Sequence, residues 1–487
     1  MVFLHSLGFL LAAVVHLSNG KVTVSTKAAQ TMNGIGASGA WWPIDLFKYP
    51  ESVRSHVADL LFSPNNLGLT SYRYNLGGGG VGVGNPSRAP ETFYVSPGVY
   101  NWSADAAGVY FLKQAVQHKV PQLILFVNSA PAAFTTNNQT CAGGLLDAHI
   151  PDFAKYIADV VTHFKQQGVI FTHVSPINEP DYSMGTPGTP CGQEGMAVPP
   201  SQRAAIVVAL RSALNKTNLQ SVQITADETS RLEQFLSEAQ TWLPSAASSV
   251  GAVCHHQYSF PNDALAAQMP ATAKQYAPGK ETWFTEICCF QAIDPTLQST
   301  DPTAPQQFGG GFQPGMIGAL KLGNVLRQSF AVVGDVHFDW WTALSDVMGC
   351  DPLADATCVT TDNTAGWNDG LLYYDPNFAT NGNHALYSTK RFQLLRHFAN
   401  FIRIGAKRFP VNNLPANVQG LAFKDSKGGS LILMNMSPNT IAVDLSGVTS
   451  LGKFTSAIQT TQSSDWTTIK KAVTSVPGLS ITTILFQ

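Results

Sequence analysis

Apolar positions recur along the chain with two different periods. From Pro151 to Gln167 the period is helical: Phe153, Tyr156, Ile157, Val160, Val161 and Phe164 fall three and four apart, giving one apolar face that can cover a sheet. The same spacing predicts helices over 51–62, 106–118, 201–214, 231–242 and 316–333. Between them lie short β-branched and apolar runs at 32–42, 69–76, 122–128, 171–180, 221–228, 251–258, 281–286 and 335–342, which read as buried strands. Eight strands roughly 30 to 50 residues apart, most with a helical run between them, predict an α/β fold, a (β/α)8 TIM barrel over residues 32–400. Chemistry in such a barrel sits at the C-terminal ends of the strands.

After Phe401 the texture changes. Short strands at 421–423, 431–434, 441–445, 454–459 and 480–485 are separated by Gly, Pro, Asn and Ser clusters, with no helix among them. This predicts an antiparallel β-sandwich, and the alternating stretch Lys21 to Ser25 can complete it, so the side domain is expected from residues 21–31 plus 401–487. Its aromatics (Phe423, Phe454, Trp466) are scattered rather than grouped, which favours a structural flank over a sugar-binding module.

Composition narrows the class. The chain has 487 residues, enough for a large barrel and a small companion domain. It is 44% hydrophobic and 12% charged, against about 25% charged for average proteins, so disorder is excluded. With a net charge of −2 and no basic run, it is not expected to bind nucleic acid. Leu7 to Val15 is apolar and Ser18-Asn19-Gly20 offers small residues before Lys21, so residues 1–20 are expected to be a cleaved signal peptide and the protein secreted. That apolar run is shorter than the ~20 residues of a membrane span, and no membrane partner is expected. Export permits disulfides, and seven cysteines leave at least one unpaired. Cys141 with Cys191 and Cys350 with Cys358 are the expected pairs. Cys254 reads as a buried thiol, and adjacent Cys288 and Cys289 are expected to resist bonding to each other. No Cys-x-x-Cys pairs with His at ligand spacing, so neither a metal nor any other cofactor is expected. Sequons at Asn101, Asn138, Asn215 and Asn435 are expected glycan sites.

Two strand ends carry the candidate chemistry. The run 171–180 closes on Asn178-Glu179-Pro180, and the run 281–286 closes on Glu286. Two carboxylates facing each other across one cleft are the minimum equipment for splitting a glycosidic bond. Glu179 is assigned general acid and then base, Glu286 nucleophile, and Asn178 the contact to the hydroxyl beside the anomeric carbon. Arg73, in mid-strand, is costly to bury unless paired, and is expected to hold the nucleophilic carboxylate ionised. Gly77 to Gly80 lacks the Gly-Lys-Ser/Thr ending of a phosphate loop and reads as a flexible rim segment. Glu228 also ends a strand and is taken as a hydroxyl binder. His256 and Tyr258 alternate on one strand face, so both can point inward, His256 toward substrate and Tyr258 toward Glu286. Alternation allows only one of Trp340 and Trp341 to face in, and Trp341 is assigned to the sugar floor. At the first strand end Trp42 is expected to stack on a sugar ring.

These residues resemble those of retaining barrel hydrolases in which the acid follows Asn on strand four and the nucleophile closes strand seven. More narrowly the chain resembles glycoside hydrolase family 30, through Gly34 to Trp42, Arg73-Tyr74-Asn75-Leu76-Gly77, Asn178-Glu179-Pro180, Gln193-Glu194-Gly195, His256-Gln257-Tyr258, Phe284-Thr285-Glu286 and Phe401 to Gly405. Within it, the Ala-Ser-Gly-Ala-Trp-Trp opening and the Gly77–Gly80 loop look most like fungal endo-β-1,6-galactanases. The resemblance implies cleavage of β-1,6-galactan side chains of arabinogalactan-proteins by a secreted monomer. The alternatives are a β-1,6-glucanase or xylanase of the same family, or a carbohydrate-binding protein that has lost catalysis.

Overall fold

The computed structural model describes residues 20–487; the expected signal peptide lies outside these residues except for Gly20. Eight parallel strands close into a barrel: β1 (Gly34–Gly39), β2 (Ser71–Leu76), β3 (Gln122–Val127), β4 (His173–Ser175), β5 (Gln223–Thr229), β6 (Ala252–His256), β7 (Glu281–Glu286) and β8 (His337–Trp340). Each pairs in parallel with the next, and β8 returns to β1 with Trp340 opposite Ala37. Each strand is followed by a helix on the outer ring: α1 (Glu51–Phe62), α2 (Ala106–Gln117), α3 (Ile150–Gln166), α4 (Pro200–Lys216), α5 (Leu232–Ala246), α6 (Gln268–Tyr276), α7 (Met316–Arg327) and α8 (Lys390–Ala399). The apolar stripe read from sequence in α3 is buried along its whole length. α7 ends earlier than its periodicity suggests. From Gln328 to Val333 the turn widens to a π-helix, which Gly334 stops at φ 83°.

Strand four differs most from the sequence expectation. It is only three residues long, because Pro176 has no N–H to donate to a ladder. Asn178 and Glu179 therefore stand in the turn beyond β4. Glu179 is in the left-handed region (φ 45°), with its N–H bonded to the Glu228 carbonyl at 3.0 Å.

The chain ends meet on one flank. A seven-stranded antiparallel sheet runs in the order Gln30–Thr31, Lys407–Phe409, Val418–Asp425, Gly428–Asn435, Ser480–Phe486, Phe454–Thr460, Thr467–Ile469. Short pairs, Thr23–Val24 with Val411–Asn412 and Ile441–Ala442 with Ser475–Val476, form the opposing layer. Val22, Val24, Leu431, Leu433, Val448 and Ile484 fill the space between. The sheet's other face packs on the barrel. Met434 lies so close to Gly323 of α7 that a Cβ there would stand 2.5 Å from its sulfur, and glycine is what lets the helix approach.

Disulfides join Cys141 to Cys191 and Cys350 to Cys358, as expected, and Cys254 is a buried free thiol. The expectation for Cys288 and Cys289 is corrected. They are bonded to each other with Cα atoms 3.7 Å apart, which the left-handed backbone of Cys289 (φ 65°) accommodates.

Candidate active site

The C-terminal ends of β2, β4, β5, β6 and β7 converge on one cluster of buried charges. Arg73 is fully buried on β2. Its Nη1 donates to Glu286 Oε2 and to Ser38 Oγ, each at 2.9 Å, and its Nη2 to Asn178 Oδ1 at 3.4 Å. The guanidinium lies 4.1 Å from the centre of the Phe126 ring and 3.8 Å from Glu228. The Tyr258 hydroxyl, just beyond β6, donates to the other Glu286 oxygen at 3.0 Å, so each oxygen of Glu286 is held by its own donor. A carboxylate held in this way presents one orientation to the cleft.

His256 is wedged among three carboxylates. Its Nδ1 is 3.3 Å from Glu179 and 3.7 Å from Glu286, and its Nε2 is 3.0 Å from Glu228. Burial alone would lower its pKa, but Glu286, Glu179 and Glu228 together raise it to about 10, so the ring is an imidazolium at neutral pH. Burial alone would raise Glu228; Arg73, His256 and the Thr285 hydroxyl outweigh that and hold it at about 2. Glu179 goes the other way. Burial and the neighbouring Glu286 carboxylate raise its pKa against the pull of His256. Glu179 and Glu228 are thus pushed in opposite directions, Glu179 toward holding a proton and Glu228 toward a permanent anion.

Ligand-type atoms of Glu179, His256 and Glu286 lie within 4.8 Å of one another. A cation would fit that span, but both His256 nitrogens are bonded to carboxylates and the ring is protonated, leaving no lone pair for a metal. An oxygen of Glu179 and an oxygen of Glu286 thus lie within 4.8 Å of each other, so both carboxyl groups face one cleft, as a pair that shares one glycosidic bond must.

The residues singled out from sequence divide into three groups. Arg73, Asn178, Glu179, Tyr258 and Glu286 are brought together as described. Trp341 borders the same space at 7% exposure, edge-on to Trp41 at 4.8 Å, whereas Trp340 is fully buried with its indole N–H on the Asp369 carbonyl. Three expectations are corrected. Trp42 is 1% exposed, packed on Phe111 with its indole N–H on the Ser38 carbonyl, because the left-handed Trp41 (φ 69°) turns the chain and leaves Trp41 as the partly exposed ring. His256 and Glu228 have no exposed surface at all. They hold each other and their charged neighbours rather than a ligand.

Sequence reasoning gave no role of their own to Ser38, Thr285 and Glu194. Thr285 is buried near the end of β7, with its hydroxyl on Glu228. Glu194 is 1% exposed and accepts the backbone N–H groups of Gly78 and Gly80 at 3.1 and 2.8 Å, pinning the glycine-rich loop. Burial raises its pKa to about 7.

Residues 20–353 match the family model described as O-Glycosyl hydrolase family 30. An exo-β-1,6-galactobiohydrolase of Bifidobacterium longum subsp. longum is 23% identical over 82% of this chain, which spans about a third (32%) of that relative's length. Among solved structures, a conserved exported protein of Bacteroides fragilis superposes with a TM-score of 0.79 at 19% identity, covering 96% of this chain and 100% of its own. The catalytic domain of xylanase C from Talaromyces cellulolyticus does so at 0.71 with 18% identity, covering 96% and 100%. At these identities the superpositions speak to the fold.

Proposed function

The chain belongs to O-glycosyl hydrolase family 30, and from that premise we propose that it is a secreted, retaining endo-glycosidase acting on β-1,6-linked galactan side chains of arabinogalactan-proteins. The observation that carries the mechanism is the pairing of Glu179, whose pKa is raised by burial and by Glu286, with a doubly anchored Glu286, an oxygen of one lying within 4.8 Å of an oxygen of the other. Retaining hydrolases keep their carboxyl groups about 5 to 5.5 Å apart, inverting ones roughly 6.5 to 9.5 Å. In the first step a Glu286 oxygen bonds to the anomeric carbon while Glu179 gives its proton to the departing glycosidic oxygen, leaving a glycosyl ester on Glu286. In the second, Glu179, now a carboxylate, takes a proton from water, whose oxygen displaces Glu286 from the anomeric carbon. Asn178, oriented by Arg73, is set to hydrogen-bond the adjacent ring hydroxyl as positive charge develops, and Trp341 is the floor beneath that ring.

The galactan assignment draws on the β-1,6-galactobiohydrolase relative and on the Trp41-Trp42 opening. A second reading within the family draws on likenesses to solved structures: xylan on the Talaromyces xylanase, and β-1,6-glucan on an endo-β-1,6-glucanase. Export is supported by the apolar stretch from Leu7 and by three disulfides, which an oxidising compartment preserves. The protein is taken to act as a monomer without a cofactor. Product analysis on de-arabinosylated arabinogalactan, pustulan and glucuronoxylan decides among the sugars. NMR of the first-formed product must show the β anomer, and an α anomer refutes double displacement. Glu286→Ala is expected to abolish turnover, and residual wild-type rates would remove it as nucleophile.

A further inference from the structure

Phe308 lies outside the machinery described so far and is not a core residue. It ends the rim strand Gln306–Phe308, and 52% of its surface is open to solvent. Its ring stands edge-on to Tyr258, centroids 5.5 Å apart at 89°, and Tyr258 in turn holds the Glu286 carboxylate. On its other side it meets the partly exposed Trp367, centroids 5.5 Å apart at 47°. The two rings therefore form an exposed aromatic shelf one side chain away from the nucleophile.

The backbone beneath the shelf is fixed on both sides. Gln306–Phe308 pairs with Phe290–Ala292, the strand that begins directly after Cys289 and so four residues beyond Glu286. The Gly309 N–H reaches the Cys289 carbonyl at 3.1 Å, and the Gly311 N–H reaches the Gly366 carbonyl, next to Trp367, at 2.7 Å. One exposed apolar side chain would be ordinary, but Phe308 touches a second partly exposed ring, Trp367, and itself stands beside the residue that holds the nucleophile.

We infer that Phe308 and Trp367 form a sugar-stacking subsite for the galactopyranose unit next to the one being cleaved. This rests on the galactanase reading given above. The chemistry of the ring argues for that occupant: the axial C4 hydroxyl of β-galactose leaves the C–H bonds at C3, C4 and C5 together on one face. Such an apolar face lies flat on an aromatic ring, while the hydroxyls on its edge stay in water. The shelf is continuous with the cleft through Tyr258, so a chain running out of the cleavage point can cross it.

The test is a chain-length series. Wild type, Phe308→Ala, Trp367→Ala and Phe308→Tyr are compared on β-1,6-galacto-oligosaccharides of increasing length and on β-galactosyl fluoride, which has only the one ring. In wild type KM should fall as a second and third ring are added. In Phe308→Ala that gain should shrink roughly fivefold, with a far smaller effect on the fluoride, and Phe308→Tyr should restore it. Equal losses on the fluoride and on long oligosaccharides, with a displaced pH profile, would mean that Phe308 merely props Tyr258, and the subsite is overturned. An unchanged length dependence in Phe308→Ala overturns it as well. If the wild type instead cleaves β-1,6-glucan or xylan, the galactan assignment falls. The same series on that polymer then reads the shelf on its own.

Discussion

Glu228 offers the sharpest test of the electrostatics, because Glu228→Gln removes a charge while keeping the shape. The carboxylate is fully buried, 3.0 Å from His256 and 3.8 Å from Arg73, and bonded by Thr285. Holding it at about 2 instead of 4.5 corresponds to about 3 kcal/mol of folding free energy near neutral pH. The range for removing one partner of a buried ion pair, about 3 to 5 kcal/mol, agrees. The sign follows from the depressed pKa. The stabilisation is fully present above the unfolded value of 4.5, and is lost as pH falls toward 2, where folded and unfolded chains both carry the proton. Thermal melts of both proteins from pH 7 down to pH 3 should therefore show the variant several degrees less stable at pH 7, with the gap narrowing below pH 4.5. A variant that melts with wild type at pH 7, or a gap that stays constant down to pH 3, would refute the claim that Glu228 acts as a buried counter-ion.

Glu179 must hold its proton to release the leaving group, and its pKa is raised by burial and Glu286, so kcat/KM should fall as pH rises through that value. Glu179→Ala should lose this basic limb and slow strongly on oligosaccharides while keeping part of its rate on a dinitrophenyl glycoside, measured as a pH series on both substrates. The adjacent tryptophans should separate stability from binding. Trp42→Ala opens a cavity against Phe111 and should cost about 3 to 5 kcal/mol in denaturant unfolding. Trp41→Ala should leave the unfolding midpoint nearly in place and raise KM.

Much of the barrel was legible because its helices carry unbroken three-and-four spacing and its strands are buried on both faces. The range of α1 and the ends of α2 and α3 fall where, or within one residue of where, the periodicity puts them. What escaped detection is governed by backbone geometry rather than periodicity. The shortness of β4 comes from Pro176, and the burial of Trp42 beside a partly exposed Trp41 from the positive φ of Trp41, which the residue type does not announce. The two catalytic candidates were readable as strand-end glutamates. The burial of His256 and Glu228 was not, because residue type and strand position cannot tell a side chain that touches ligand from one that touches only its neighbours. The bond between the adjacent Cys288 and Cys289 is likewise not legible from residue type, since it goes with a local backbone geometry, Cys289 at φ 65°, that spacing does not reveal.

Gln30 reaches from the first edge strand of the sandwich to the Phe330 and Asp335 carbonyls at the base of the barrel, and it accepts from Arg408 at 2.8 Å. The polypeptide thus lays down one rim of the flanking sheet before any barrel strand exists, and must wait for the whole barrel to be synthesised before the matching strand at Lys407–Phe409 can zip onto it. Cutting the gene near residue 400 would therefore not yield two independent modules. It would leave a barrel trailing an unpaired sticky edge and a sheet missing its border, so any transplant of either half has to carry both tails together.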